Sequence, residues 1–459
     1  MKNVKKRLVA APLTKTINSF FAGIGGFDVA FEKNGFSPAF YCENNDFCRG
    51  VLKRHWPDVP NAADIRKLNP KDIPTASVWT AGFPCQDLSL ARTPHGTRSG
   101  LKGLRSGLFY NFLELLSKHK PPVVLLENVA GLLSSHKGAD FTAVITSLTK
   151  LGYAVAWRVL NARYFGAPQS RPRVFICAWR GSPTNAIKVL FEEEIAEKPK
   201  NERGGFMIES KCSTSGIAVP QVSFCISATS GRHTGLDWAR TYITYPSSVR
   251  RLTPLECERL QGLPDDWTKP DTDYVAPSRG IESNRYHAIG NAVCVPVVEW
   301  VAGRISTTMQ QQSDGSKVAK TQSVKNRLQQ LTNAFISPVC EVQKMSTESE
   351  EIKWKTGGVA YKDWFVTAPV SSSPMPATSS RLIDVVEKSK VHDHYFLSVN
   401  AVQGILRRVD KLGRNLFAPL DTVLRKIVEP ISTSENDVTA ALKKAKSSIQ
   451  IDQPEACLS

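Results

Sequence analysis

Residues 16–33 read TINSFFAGIGGFDVAFEK, and this stretch decides the fold. Thr16–Phe20 is a short strand-forming run. Ala22-Gly23-Ile24-Gly25-Gly26 is a glycine turn, where the backbone can bend tightly or let a ligand approach. Phe27–Lys33 continues as an amphipathic helix, ended by Asn34-Gly35. Strand, glycine turn and helix in that order open an α/β pattern, with the helix N-terminus favouring polar or anionic groups.

The same alternation continues downstream. Ala39–Cys42 and Ser77–Thr80 predict strands, and Leu108–His119 predicts a helix. Val123–Leu126 is apolar without alternation, as in a strand buried on both faces. Phe141–Leu151 predicts a helix, then Ala154–Leu160 and Val174–Trp179 predict strands. Together these predict an α/β fold with a doubly wound, mostly parallel sheet. From Gly181 to Arg250 the pattern weakens into a polar, turn-rich stretch. Helical patterning returns at Pro254–Gln261 and Asn291–Ile305. Residues 306–350 read as a linker or frayed helix. Val402, Ile405, Leu406 and Val409 then mark one helical face within Leu397–Leu412.

The chain has 459 residues and a formal charge of +17. It holds enough apolar residues for a large core of two or three domains. No apolar run reaches the ~18 residues of a membrane span. The apolar stretch Leu8–Leu13 is shorter than the ~7–15 residues of a secretory signal. Ten cysteines, none in a Cys-x-x-Cys pair, argue against zinc knuckles and fit reduced thiols in the cytoplasm. Residues 305–459 hold 20 Lys+Arg and 16 Asp+Glu, so a surplus of 13 lies in residues 1–304. That surplus suits a polyanion such as nucleic acid. His392-Asp393-His394 lacks a third nearby ligand and reads as structural, so no metal is expected.

Four clusters carry chemistry. Phe21, Gly23, Gly25 and Gly26 form the first, with Glu43 following about 20 residues later where a carboxylate meets ribose hydroxyls. These residues serve either a tight turn or a nucleoside site. The second is Gly82-Phe83-Pro84-Cys85-Gln86 after a short strand. Cys85 is either a buried structural thiol or a nucleophile aimed by Pro84. The third is Glu127-Asn128-Val129, ending the apolar strand. There Glu127 is a cap, a surface ion pair, or a partly buried carboxyl of raised pKa that handles a proton. The fourth is Gln169-Ser170-Arg171-Pro172-Arg173. Arg171 and Arg173 share a strand face, as a basic edge or as a grip on a carbonyl or phosphate.

In this order the four clusters resemble the DNA cytosine-5 methyltransferases of bacterial and phage type. Arg251–Gly262 (RLTPLECERLQG) and Gly290-Asn291-Ala292-Val293 are similar to two further motifs of that family. The resemblance covers about residues 15–305. It implies a Rossmann-like fold, an S-adenosyl-L-methionine cofactor and cytosine in double-stranded DNA as substrate. It implies Cys85 as nucleophile, Glu127 at the base, and Arg171 and Arg173 at the carbonyl on carbon 2. It implies Phe21 stacking on adenine, Glu43 on the ribose, Asp64 on the adenine amino group, and Asn291 and Val293 closing the cofactor pocket. Ser19 and Asn44 depart from the family's usual Asp and Trp. The implied domains are 15–182 for cofactor and catalysis, 183–250 for target recognition, and 251–305 returning to the catalytic body. A linker (306–349) and a C-terminal helical domain (350–459) complete the expectation. Gln169 and Arg232 are expected at the DNA, the latter on the turn-like loop Gly231–Gly235. The chain is expected to be a monomer, solitary or beside a cognate restriction endonuclease. An RNA cytosine methyltransferase and a non-catalytic DNA-binding protein stand as the other two readings.

Overall fold

The glycine turn joins β1 (Thr16–Phe20) to α1 (Gly26–Glu32), and Gly25 caps the helix at φ 81°. The computed structural model describes residues 14–84, 107–193, 205–213, 215–230, 237–270, 280–313, 323–345 and 351–429. β2 (Ser37–Cys42), α2 (Asp46–His55), β3 (Asn61–Ala62) and β4 (Val78–Ala81) follow. Then come α3 (Leu108–His119), β5 (Val123–Val129), α4 (Ala139–Lys150), β6 (Tyr153–Asn161), β7 (Pro172–Arg180) and α5 (Pro183–Leu190).

The strands lie in the order β6-β7-β5-β4-β1-β2-β3. β3, β2, β1, β4 and β5 pair in parallel, and β7 runs against β5 and β6. Side chains alternate between two cores. Val123 and Leu125 join one with α1 and α5; Val124 and Leu126 join the other with α3 and α4. Both faces are therefore apolar, which is why β5 shows no alternation in sequence.

Register brings the chemistry to one edge. Phe20 pairs with Cys42 on one side and Ala81 on the other, and Ala81 pairs with Leu126. The next residue of each strand is Phe21, Glu43, Gly82 or Glu127. β7 starts at the same edge because it is antiparallel: Arg173 lies opposite Val129. This is the carboxyl edge at the switch point where open α/β sheets bind ligands.

The smaller sheet holds β8 (Glu209–Lys211), β9 (Ala218–Pro220), β10 (Tyr242–Thr244) and β11 (Val249–Arg251) in the order β11-β10-β9-β8. The recognition segment expected from residue 183 starts later, because Ala186, Ile187 and Leu190 of α5 are buried in the main core. α6 (Pro254–Gln261) opens with a capping box between Thr253 and Glu256 and ends at a left-handed Gly262. The helix expected over Asn291–Ile305 is two: α7 (Ile281–Asn291) ends at Asn291, and α8 (Val295–Ser313) begins anew. Pro296 sits in the first turn of α8, where a missing N–H costs nothing.

The expected linker and separate C-terminal domain differ from the structure. α9 (Val324–Phe335) buries Leu328, Leu331 and Phe335. β12 (Gln343–Lys344), β13 (Gly357–Tyr361) and β14 (Trp364–Ala368) extend the main sheet, with β13 antiparallel to β6 from Gly357–Arg158 to Tyr361–Ala154. The sheet then has ten strands among the described residues. The reason is apolar cover: Trp354 packs edge-on against Trp157 and Phe141, both fully buried. α10 (Val399–Lys411) and α11 (Ala418–Val428) pack on the smaller sheet through Tyr242 and Val249.

Candidate active site

The cofactor end is built from the turn outward. Phe21 adopts φ 51°, the left-handed region, which turns the chain out of β1. The Gly23 N–H donates to Glu43 Oε2 at 2.8 Å, and the Asn45 N–H donates to Oε1 at 2.8 Å. A Cβ on Gly23 would meet nothing within 4 Å, so this backbone faces open space. Gly25 and Gly26 face protein instead. A Cβ on Gly25 would strike Trp56, and one on Gly26 would lie 2.9 Å from Val293 Cγ2. Val293 thus closes against α1, and Asn291 stands exposed at the end of α7. Asp64 caps a short helical turn and accepts from the Arg66 N–H and guanidinium, which hold its carboxyl down at about 2.

Phe21, Gly23, Glu43, Asp64 and Asn291 line a cavity of about 1150 Å³ together with Gly82, Pro84, Glu127, Arg171 and Arg173. This exceeds the ~300–1,000 Å³ usual for one small ligand. The cavity has room for a cofactor and a nucleotide side by side. Its donor set fits a cationic adenosine cofactor: one aromatic ring, two carboxylates and a glycine backbone open to a ligand.

Pro84 is exposed at the end of the described loop; Cys85 lies outside the described residues, as does Arg232. Asn128 holds this loop: its amide donates to the Phe83 carbonyl at 2.8 Å. That anchor, two residues before Cys85, went unread in the sequence, although Asn128 stands beside Glu127. Glu127 is buried, and Arg173 Nε lies 3.2 Å from its Oε1. Burial pushes its carboxyl above the ordinary range, while the charges of Arg173 and Arg171 oppose the rise.

The two arginines divide their work. Arg171 is buried, and its guanidinium donates to the carbonyls of Ile226, Gly290 and Ala292 at 2.7–3.0 Å. It ties the segment around Ile226 to the end of α7, and only its Nε lacks a partner. Arg173 keeps its contacts at Glu127 and Cys225 and faces the cavity. Cys225 Sγ lies 3.4 Å from Arg171 and 3.8 Å from Arg173, a meeting that sequence spacing does not show. Gln169, expected at the DNA, is fully buried: its amide donates to Leu260 O and Gln261 Oε1. It is a joint between lobes and cannot reach a ligand.

Ser19, where the family usually carries Asp, is paired. Its hydroxyl donates to Asp28 Oδ1 at 2.7 Å and lies 2.9 Å from Thr80 Oγ1. A carboxylate is thus supplied to this spot from α1. Burial raises the Asp28 carboxyl to about 7, the Ser19 hydrogen bond opposing. Among the described residues no cluster of three His, Cys, Asp or Glu is placed to hold a metal ion.

Fold and site together define a nucleotide-cofactor enzyme whose reacting groups sit at the carboxyl edge of a doubly wound sheet. The family described as C-5 cytosine-specific DNA methylase matches residues 15–213 and 192–307. The Type II methyltransferase M2.BsuMI of Bacillus subtilis is 31% identical over 321 residues, covering 66% of this chain and 79% of that protein. The Type II methyltransferase M.NgoBI of Neisseria gonorrhoeae is 32% identical over 305 residues, covering 62% and 90%. Among solved structures, the S. pombe Dnmt2 methyltransferase aligns with TM-score 0.46 at 19% identity, covering 65% and 99%. The chain belongs to the C-5 cytosine-specific DNA methylase family. It transfers a methyl group from S-adenosyl-L-methionine to carbon 5 of cytosine in DNA. The RNA and non-catalytic readings fall away with that assignment.

Proposed function

We propose that methyl transfer runs through a covalent adduct between Cys85 and a cytosine flipped out of duplex DNA. The observation that carries this reading is the meeting of Glu127 and Arg173 beside the Asn128-anchored loop that leads to Cys85. Cytosine carbon 5 is a weak nucleophile. Addition of the Cys85 sulfur to carbon 6 converts the ring to an enamine and loads carbon 5 with electron density. Glu127, whose carboxyl burial pushes upward, hydrogen-bonds or protonates ring nitrogen 3, removes charge from the adduct and takes the proton back on elimination. Arg173 holds the carbonyl oxygen on carbon 2, and Arg171 fixes the backbone around it. S-adenosyl-L-methionine supplies the electrophilic methyl group. Loss of the carbon 5 proton to a base, with departure of the Cys85 thiolate, restores the aromatic ring. Phe21 stacks on the adenine, Glu43 and Asp64 take its ribose and amino group, and Asn291 and Val293 close the pocket. Reaching the base requires flipping it, at a cost of a few kcal/mol.

Duplex DNA bearing 5-fluorocytosine at the target tests the adduct, because fluorine at carbon 5 blocks the last elimination. The wild-type chain is expected to form a denaturant-stable complex in the presence of cofactor, and Cys85→Ala none. Cofactor binding and DNA binding without any trapped complex in the wild type would overturn the scheme. We propose further that the enzyme works as a cytoplasmic monomer, solitary or beside a cognate endonuclease. Its relatives' designation as Type II methyltransferases supports the second arrangement. Light scattering of the purified chain reads the first point. Cleavage of unmethylated host DNA by a neighbouring gene's product reads the second.

A further inference from the structure

The helical hairpin α10–α11 lies beyond the family match, which ends at residue 307. Val399–Val428 holds six Lys+Arg against two Asp+Glu, a local excess hidden by the near balance of residues 305–459. Both acids are consumed by one cation: Arg425 takes Asp410 at 2.8 Å and Asp421 at 3.0 Å. Arg408 reaches back to the buried Asp237 at 2.9 Å. Arg407, Lys411, Arg414 and Lys426 are left without a carboxylate among the described residues.

Their placement is set by the packing. Val402, Ile405, Leu406 and Val409 turn one face of α10 into the smaller sheet. Arg407 and Lys411, one turn apart, stay exposed. The helix ends in a Schellman turn: Gly413 N–H donates to Asp410 O and Arg414 N–H to Val409 O, at 3.2 and 3.0 Å. This turn sets the Arg414 guanidinium 5.5 Å from the Trp238 ring centre. Two residues on, Arg240 donates to Thr229 O at 3.0 Å. Thr229 belongs to the loop that carries Cys225 to Arg171 and Arg173. Arg414 is thereby linked, through Trp238, Arg240 and Thr229, to the loop that carries Cys225 to the two arginines.

From this geometry we infer that the α10–α11 hairpin is a second DNA-binding element. Arg407, Lys411 and Arg414 grip the phosphate backbone of duplex flanking the target cytosine. The inference rests on DNA being the substrate. Phosphate contacts of this kind position a duplex without reading its sequence. The occupant is duplex DNA rather than a protein, because the exposed face is cationic and its Arg414 end is linked through Trp238 and Arg240 to the loop beside Arg173.

The test compares Arg407→Glu/Lys411→Glu with Lys150→Glu/Lys362→Glu, which makes the same change in net charge at exposed sites on and beside the main sheet. Affinity for a long and a minimal target duplex is measured against salt. On the long duplex the hairpin variant should lose affinity, with a log–log salt slope shallower by about 1.8, ~0.9 per lost phosphate contact. The control pair should keep the wild-type slope. On the minimal duplex all three should agree, and methyl transfer at saturating DNA and low salt should be unchanged. An unaltered slope in the hairpin variant, or an equal loss in the control pair, overturns the inference. Loss of methyl transfer by the wild-type chain would instead strike the DNA methyltransferase reading, and the two failures are told apart by that control.

Discussion

Asn128 shows how one amide governs a reacting loop. Its bond to the Phe83 carbonyl holds the loop together with the packing of the Phe83 ring on Phe109. Asn128→Ala is expected to lower kcat by roughly tenfold or more while leaving the KM for cofactor unchanged, since an aimed nucleophile loses much of its rate to small displacements. Steady-state kinetics with varied cofactor checks this. Glu127→Gln keeps a hydrogen bond but cannot deliver a proton, and kcat should fall by about 10²–10⁴-fold. Asp28 gives a stability prediction. Its folded carboxyl titrates at about 7, above the ordinary value of 3.8. The fold therefore prefers its protonated form, and that stabilisation is lost as pH rises from about 4 through about 7. Asp28→Asn cannot ionise. It should melt above the wild type at pH 8, with the gap closing toward pH 5. A gap independent of pH would exclude this assignment. The place of Glu127 at the end of β5 was legible in sequence, since it depends on one local strand. The carbonyl partners of Arg171 at 226, 290 and 292 were not, because only the fold brings them together.

At the scale of elements, the site depends on two lobes touching through backbone. A Cβ on Gly290 would lie 2.2 Å from Ser227 C and 2.3 Å from Ala228 N. Main chain cannot move aside as a side-chain tip can. Gly290→Ala must push the loop carrying Cys225 away from α7 and strain the Arg171 bonds to Gly290 O and Ala292 O. A cost of about 1–3 kcal/mol is expected for such overpacking. Melting temperature and methyl transfer should fall together, while the cofactor's own affinity changes less. The glycine pattern at Gly23-Ile24-Gly25-Gly26 announced a turn, but not which glycine faces the ligand. The structure divides them: Gly23 opens to the cavity, whereas Gly25 and Gly26 make room for Trp56 and Val293. The strand alternation placed the sheet, since period and run length are local properties. β13 and β14 escaped because residues 350–459 read as helical, and the pairing of β13 with β6, some 200 residues away, leaves no mark on local period.

The whole molecule is stapled by the segment beyond residue 345 in a way the family match alone does not convey. β13 covers β6 along five residue pairs, and Trp354 seals Trp157. Arg158 is buried at 2% exposure; it pairs with Glu192 at 2.6 Å and also donates to Ser371 O and Ser373 O. A chain cut after residue 345 would strip β6 of its outer partner, β13. It would leave an open nine-residue edge and remove two acceptors from a buried charge. Open edges pair with other chains, and a charge left without its acceptors costs several kcal/mol. This truncation should aggregate on expression even though it keeps every residue matched to the family. Among the described elements, a cut after residue 397 removes α10 and α11. It keeps β13, β14 and the Arg158 acceptors but bares Tyr242 and Val249 on the smaller sheet. That chain should stay soluble enough to bind cofactor, with weakened duplex binding. Size-exclusion chromatography and cofactor calorimetry on the two truncations separate these roles. A soluble, cofactor-binding chain ending at residue 345 would show that the sheet stands without β13, and the segment beyond residue 345 would then serve DNA alone.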